Sequence, residues 1–220
     1  MHELSYDYGL WSAVIFNVLF FLIFVVSFLT PKKRRDWRSL GVFMAFIVAL
    51  FVEMYGFPLT IYILVSTLGS KFGLVNPFGH MSGHLWGTLL GAPDWAKVLI
   101  CQIGSLFMIT GLVIMVIAWR KIHGAQGQLV TDGIYSHVRH PQYSGLFMIM
   151  LGMLIQWPTF ATLLMWPVLM ITYYRLAKKE EGELEKQFGE EFIDYKARTA
   201  AFVPSQQRLS SLVGMERRTS

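Results

Sequence analysis

Two basic residues stand directly before a proline that opens an apolar segment, inside the stretch 127–204 that holds most of the chain's polar motifs. Arg139 and His140 precede Pro141, and proline is suited to the first position of a helix. The unpaired N–H groups of a helix start, together with the helix dipole, attract anions. The sequence therefore predicts a site for a carboxylate or phosphate, with Arg139 and His140 as further donors.

Aromatic and acidic residues accompany this predicted anion site. Tyr135 and Tyr143 offer ring faces that attract a cation such as a sulfonium. Glu180 and Glu181, after a later apolar segment, offer acceptors for ribose hydroxyls or an amino group. Anion donors, ring faces and carboxylates together suit a zwitterionic nucleoside cofactor such as S-adenosylmethionine.

The same residues also fit roles without catalysis. Arg139 and His140 could be interfacial side chains that extend towards water. The tyrosines could belong to an aromatic belt, and the two glutamates could form a solvated helix face. The residue types alone leave both interpretations open.

The composition is typical of a membrane protein. Of the 220 residues, 54% are apolar and only 15% are charged. The net charge of +5 arises from short basic clusters beside apolar segments, and no nucleic-acid-binding motif is present. The one cysteine, Cys101, lies in an apolar segment without a neighbouring base, so we expect neither a disulfide nor a catalytic thiol.

We predict an all-α integral membrane bundle of about five transmembrane helices in one domain, because about 20 apolar residues span a bilayer as a helix. The predicted spans are residues 10–29, 40–65, 98–119, 141–155 and 159–174. Of the 19 lysines and arginines, only Lys71 and Lys97 then lie outside. The positive-inside rule therefore predicts an outside N-terminus and a cytoplasmic C-terminus. The short, compact chain suggests a prokaryotic inner membrane.

A carboxylate interrupts the second predicted span. Such a charge costs about 2.5–3.5 kcal/mol, so Glu53 should face the interior, be protonated or have a partner. Pro58 should kink this span. Glu53 and Tyr55 are candidate acceptor-binding residues, as is the segment with His80 and His84. These histidines would share a helix face, but without a third ligand they predict interfacial residues and no metal site.

The chain after the fifth predicted span is amphipathic. Leu184, Phe188, Phe192 and Tyr195 recur at steps of four, four and three. This spacing predicts one cytoplasmic helix over 178–198 with an apolar stripe. The polar and basic residues 205–220 are predicted to form a flexible tail.

Several motifs, in order and at matching spacing, resemble those of the isoprenylcysteine carboxyl methyltransferase family. They are Leu-Val-Thr-x-Gly-x-Tyr from Leu129, Arg-His-Pro-x-Tyr-x-Gly from Arg139, Glu-Glu from Glu180 and Phe-Gly-Glu-Glu-Phe-x-x-Tyr from Phe188. This broad group of membrane methyltransferases includes phospholipid N-methyltransferase relatives and bacterial thiol S-methyltransferases. The resemblance covers residues 119–204, whereas the first 95 residues carry no assigned motif.

The resemblance implies a five-helix membrane enzyme that binds S-adenosylmethionine in a cytoplasmic pocket roofed by the C-terminal helix, with the acceptor entering from the bilayer. It divides the domain into an acceptor-side half, residues 1–95, and a methyltransferase core, residues 96–204. Carried over by position, the cofactor-binding residues are Gly127, Gln128, Leu129, Val130, Tyr135, His140, Pro141, Gln142, Tyr143, Glu180 and Glu181. The family's acceptor-side arginine corresponds best to Arg175, five residues before Glu180 and one more than the family pattern. A family glutamine upstream of the first loop has no match among residues 119–121.

The predicted reaction is methyl transfer from S-adenosylmethionine to an apolar or membrane-embedded acceptor, which is a thiol, a prenylcysteine-type carboxylate or a lipid headgroup. Arg139 or Arg175 would act as a catalytic cation, because a cation lowers the thiol pKa of about 8.5. Two alternatives stay open: an NADPH-dependent sterol-type membrane reductase, and a non-enzymatic scaffold or transporter. The reductase needs more spans and a 2′-phosphate site, and the scaffold leaves the motifs without a purpose.

Overall fold

The computed structural model describes residues 8–28, 37–72, 83–125 and 127–204, and helices dominate these ranges. The helices are α1 (Trp11–Phe28), α2 (Trp37–Phe51), α3 (Leu59–Phe72), α4 (Leu85–Leu89), α5 (Asp94–Gly124), α6 (Pro141–Gln156), α7 (Phe160–Phe188) and α8 (Glu190–Arg198). A π-helical turn, Val52–Gly56, follows α2, and a 3₁₀ turn, Gly133–Ser136, precedes α6. Within these described ranges the extended backbone pairs only as one parallel bridge, Val138 with Ala200. The all-α prediction is therefore confirmed for this part of the chain.

Two helices, α5 with 31 residues and α7 with 29, are long and apolar enough to cross a membrane. The pair α2 and α3, bent by 63° at its break, adds a third if it crosses as one span. Exposed apolar side chains such as Leu106, at 62%, and Leu164, at 75%, suit a lipid-facing surface. The first and fourth predicted spans correspond to α1 and α6, which have 18 and 16 residues.

The chain forms two compact units. The first comprises residues 1–109 and 149–172, and the second comprises residues 110–148 and 173–220. In the first unit, α2 buries Phe43, Phe46 and Ile47 almost completely. These side chains recur at helical spacing on one face, which gives the unit its apolar core.

Glu53 of the first unit is buried at the break between α2 and α3. Its Oε2 accepts the backbone N–H of Thr60 at 2.9 Å, and its Oε1 accepts the Thr60 hydroxyl at 2.9 Å. Since Thr60 lies in the first turn of α3, the carboxylate satisfies an amide that the helix leaves unpaired. The prediction that Glu53 faces the interior with a partner is confirmed, and the kink predicted at Pro58 is the 63° bend.

His84 belongs to the same unit and binds a backbone carbonyl at the C-terminal end of α6. Its Nδ1 lies 3.0 Å from the carbonyl oxygen of Gln156, and Trp86 Nε1 donates to the carbonyl of Leu154 at 3.0 Å. Both carbonyls lie in the last turn of α6, where intrahelical partners are missing. His84 is therefore a buried capping residue rather than an interfacial one. His80 lies outside the described residues, and no group of three potential metal ligands occurs among those described.

Glycines bring α5 and α6 into backbone contact. In the first unit, a Cβ added at Gly152 would lie 2.5 Å from the carbonyl oxygen of Gly104. In the second unit, a Cβ added at Gly145 would lie 2.5 Å from the carbonyl oxygen of Gly111. Only glycine allows the two backbones to come so close. Gly104 of α5 faces Gly152 of α6, and Gly111 of α5 faces Gly145 of α6.

The predicted single helix over 178–198 is wrong in its boundaries. No helix-breaking residue separates the apolar part of α7 from its charged end, so α7 continues past Tyr174 to Phe188. The break comes at Gly189, which adopts φ +56°, a value that favours glycine. The predicted stripe is consequently divided, and its buried members Phe192 and Tyr195 lie on the separate helix α8.

Candidate functional site

The segment between α5 and α6 brings two predicted cofactor residues into contact. Tyr135, in the 3₁₀ turn that starts at Gly133, is 4% exposed, and its hydroxyl donates to Oε1 of Gln142 at 2.8 Å. Burial raises the pKa of Tyr135, so the hydroxyl stays protonated and acts as a donor. The Tyr195 hydroxyl donates to the Tyr135 carbonyl at 2.6 Å, which ties this turn to α8.

A pocket of about 350 Å³ contains the first group of predicted cofactor residues, Gln128, Leu129 and Val130. The rest of its lining is Arg120, Lys121, Gly124, Ala125 and Asp132. At its edge Lys121 Nζ pairs with Asp132 Oδ2 at 2.6 Å, while Gly127 sits just before the lining residues with φ +87°. The lining combines apolar side chains with polar and charged ones, a combination suited to a nucleoside.

Arg139 is half-buried, and all of its side-chain nitrogen atoms donate hydrogen bonds within the protein. Its Nε and Nη2 donate to Oε1 of Glu181 at 3.0 and 2.7 Å. Its Nη1 donates to the backbone carbonyls of Lys196, at 3.1 Å, and Thr199. The side chain is 9% exposed, so the guanidinium is directed into the protein. The role of a catalytic cation that the sequence suggests for Arg139 remains a prediction.

Glu181 is a buried carboxylate at the centre of an ionic cluster. Besides Arg139, it has Lys178 Nζ at 2.9 Å from Oε2 and His140 Nε2 at 3.2 Å from Oε1. Lys196 Nζ approaches Oε2 at 4.0 Å. A carboxylate that is 3% exposed would be costly without such partners. The carboxylate therefore binds groups of the protein itself, and its predicted role in cofactor binding remains a prediction.

His140 lies between the two glutamates, with Nε2 facing Glu181 and Nδ1 3.7 Å from Oε2 of Glu180. Burial lowers its pKa from the ordinary value of 6.5 to about 4, against the opposing effect of Glu181. Arg139 and Lys178 compensate much of the Glu181 charge, and so desolvation prevails. A neutral ring that donates from Nε2 to Glu181 presents Nδ1 as an acceptor.

We expect the stability of the protein to fall as the pH drops from about 6.5 towards 4. The unfolded chain binds a proton at His140 near pH 6.5, whereas the folded chain resists it until about pH 4, so acid favours unfolding. The expected loss at pH 5 relative to pH 7 is about 2 kcal/mol. Thermal unfolding of the detergent-solubilised protein at both pH values, compared with a His140→Asn variant, measures this contribution. An equal pH effect in protein and variant would contradict the assignment.

Tyr143 and Glu180 form the second hydrogen-bonded pair of the site. The Tyr143 hydroxyl donates to Oε1 of Glu180 at 2.7 Å. Tyr143 is 3% exposed and packs against the ring of Tyr173, with 5.7 Å between ring centroids. Glu180 keeps 39% of its side chain exposed, so a rigid tyrosine orients a carboxylate that solvent or a ligand reaches.

The chain itself uses several backbone amides at the start of α6, where the sequence predicts an anion site. The amides of Arg139 and His140 donate to the carbonyls of Ala200 and Ala201 at 2.8 and 3.0 Å, so the chain itself uses them. Pro141 has no N–H, as expected for the first helical residue. Within the described ranges, the amide of Gln142 has no backbone carbonyl partner. One N–H at the helix start is therefore without a backbone acceptor in this part of the chain.

The structure gives the three predicted acceptor residues the following surroundings. Arg175 belongs to the second unit, is exposed, and has no ion-pair partner among the described residues. Glu53 and Tyr55 belong to the first unit, where Glu53 binds Thr60 and Tyr55 stacks on Phe51 with 6.2 Å between ring centroids. The acceptor roles of these three residues remain predictions.

Sequence reasoning missed the lysines and the extended segment that complete the cluster. Lys178 stands three residues before Glu181, a spacing that brings side chains together on a helix and that the sequence does reveal. Ala200 and Ala201 pair with the backbone and carry no side-chain signal. Phe202, whose carbonyl accepts the Ser144 hydroxyl at 2.7 Å, likewise belongs to no recognised motif.

Comparison with known proteins gives two matches in this part of the chain. Residues 121–191 match the family described as phospholipid methyltransferase. A stretch of 77 residues is 32% identical to the protein-S-isoprenylcysteine O-methyltransferase of Schizosaccharomyces pombe, covering 34% of this chain and 33% of the relative. The chain thus matches about a third of the length of that curated relative.

Both matches agree with the motif resemblance. The family match begins at the end of α5 and ends in α8, so it includes the 3₁₀ turn, the start of α6 and the charged end of α7. The matched range therefore contains every residue of the ionic cluster except Lys196. The predicted resemblance to the isoprenylcysteine carboxyl methyltransferases is confirmed here, and residues 121–191 carry the sequence pattern of the phospholipid methyltransferase family.

Proposed function

We propose that this protein is an integral membrane enzyme that transfers a methyl group from S-adenosylmethionine to an apolar or membrane-embedded acceptor. The observation that carries the proposal is the arrangement of His140, Tyr143 and Glu180. Glu180 Oε2 and His140 Nδ1, two acceptor atoms, lie 3.7 Å apart, and Tyr143 orients the carboxylate. Two acceptors at this separation suit a shared donor such as an ammonium group.

The other residues present fit the remaining parts of this cofactor. The amide of Gln142 at the start of α6 is suited to the carboxylate of the methionine end. Tyr143 and Tyr135 supply aromatic rings, and Gln128, Leu129 and Val130 line the pocket suited to the nucleoside. When bound, S-adenosylmethionine would supply an electrophilic methyl group on a sulfonium. In this proposal Gly127 and Pro141 shape the backbone around the cofactor.

The chain's own contribution would be to orient the reactants and to exclude water. Positioning of this kind lowers a barrier by up to about 7–11 kcal/mol. Arg175, which is exposed and has no ion-pair partner in the described part of the chain, is the residue we propose to face an anionic acceptor. A thiol, a prenylcysteine-type carboxylate and a lipid headgroup all fit this description. Glu53 and Tyr55 are proposed for the acceptor side.

We further propose that the chain crosses the bilayer about five times. In this arrangement α1, the bent pair α2 and α3, α5, α6 and α7 are the spans. The cofactor site and α8 then face the cytoplasm, because the basic clusters flank the same ends of these helices. A prokaryotic inner membrane is the proposed location, with residues 1–95 on the acceptor side and 205–220 as a tail.

Calorimetric titration of the detergent-purified protein tests the cofactor directly. We expect S-adenosylmethionine and S-adenosylhomocysteine to bind in the micromolar range and NADPH not to bind. Binding of NADPH alone would favour a membrane reductase. If folded protein bound none of the three, the proposal would be overturned and a non-enzymatic role would replace it.

A further inference from the structure

The geometry of Arg139 differs from that of a residue that contacts a substrate. Its guanidinium donates two hydrogen bonds to Glu181 and further hydrogen bonds to the carbonyls of Lys196 and Thr199. Four of its five N–H groups are thereby used within the protein, so it has few donors left for a ligand. The contacts run from the loop before α6 to α7, to Lys196 in the last turn of α8 and to Thr199 just after it.

The segment after α8 is held against the loop by backbone as well as side-chain contacts. The amides of Arg139 and His140 donate to Ala200 and Ala201, which forms the parallel bridge next to Val138. The Phe202 ring lies beside the His140 ring, with 5.7 Å between centroids. The segment 199–202 therefore forms one wall around His140.

Arginine is the residue type that this position requires. Its planar fork can bind a carboxylate through two nitrogen atoms while a third nitrogen reaches backbone carbonyls in another direction. A lysine has one charged nitrogen and cannot make both sets of contacts at these distances. The buried Glu181 charge further requires a partner that stays protonated, which arginine does at any physiological pH.

We propose that Arg139 is a positioning residue, which joins Glu181 of α7 to the segment 196–202 and thereby holds His140 in the orientation that the cofactor needs. The part of this inference that concerns the cofactor rests on the proposed function. The part that concerns the segment 196–202 does not.

The test compares Arg139→Lys and Arg139→Gln with Arg198→Gln. Arg198 is an exposed arginine at the end of α8 with no ion-pair partner in the described part of the chain. Hydrogen exchange of the detergent-purified protein without cofactor is the first measurement. We expect the amides of Arg139 and His140 to exchange at least about tenfold faster in both Arg139 variants and to remain unchanged in Arg198→Gln.

Kinetics form the second measurement. In Arg139→Lys we expect the KM for S-adenosylmethionine to rise about tenfold, while kcat at saturating cofactor changes little. Native exchange rates in Arg139→Lys combined with a large loss of kcat would overturn the inference and make Arg139 a catalytic cation. Should Arg139→Gln fail to fold, Arg139→Lys retains the charge and still decides between the two outcomes.

The two measurements separate this inference from the proposed function. Faster exchange in a protein that binds no S-adenosylmethionine supports the structural role of Arg139 and refutes the cofactor. Unchanged exchange in a protein that does bind S-adenosylmethionine refutes the role of Arg139 and leaves the cofactor intact.

Discussion

Replacing Glu180 by glutamine is expected to weaken S-adenosylmethionine binding about 100-fold, because a hydrogen bond between charged groups contributes up to about 3 kcal/mol. Glutamine keeps the shape of the side chain and can still accept the Tyr143 hydroxyl, which lies 2.7 Å from Oε1. The variant removes the negative charge that we assign to an ammonium group. Calorimetric titration, with the thermal unfolding midpoint as a folding check, measures the effect.

Two further variants make this result specific. Tyr143→Phe keeps the ring and removes the hydroxyl that orients Glu180, so we expect a smaller loss, about tenfold. Glu190→Gln makes the same chemical change at an exposed carboxylate in the first turn of α8 and should bind like the native protein. Native affinity in Glu180→Gln would refute the assignment of the amino group to this carboxylate.

Replacing Gly145 by alanine is expected to destabilise the protein by about 1–3 kcal/mol or to prevent folding. The added methyl group would lie 2.5 Å from the carbonyl oxygen of Gly111 and 2.7 Å from Cγ of Met115. The backbone of α5 cannot retreat without separating the two helices. Denaturation of the protein in mixed micelles measures the loss.

Gly182→Ala is the matched control for this variant. Gly182 is also inside a helix, but no atom lies within 4 Å of an added Cβ. The higher helix propensity of alanine should therefore leave stability unchanged or raise it by up to about 1 kcal/mol. Equal effects of the two substitutions would show that helix propensity, rather than the contact with α5, determines the outcome.

The sequence predicts helix positions well where a local signal exists. Pro141 marks the start of α6, and Pro58 marks the bend after α2, because proline restricts the backbone in a known way. Gly189 indicates the end of α7 in the same way. The amphipathic spacing across Gly189 outweighs this signal in the sequence and therefore predicts a continuous helix. The predicted single helix was therefore wrong, and of the predicted stripe only Phe192 and Tyr195 are buried, both on α8.

The different surroundings of Glu180 and Glu181 could not be predicted from the sequence. Glu180 and Glu181 are neighbours, and successive residues of a helix point about 100° apart. The structure therefore turns Glu181 into the ionic cluster and Glu180 towards Tyr143 and solvent. Which of the two faces inwards depends on the rotation of α7, and that rotation is fixed by packing rather than by any local pattern.

The pairing of Arg139 with Thr199 has a consequence for how the protein is made. The two residues are 60 positions apart, so a growing chain contains the loop before α6 long before the segment that closes it. Closing such a long loop carries an entropic cost and makes this contact one of the slower to form. During that interval the Arg139–Glu181 pair lacks its backbone partners. Substitutions in 199–202 should therefore lower the yield of membrane-inserted protein more than they lower the stability of protein that has already folded.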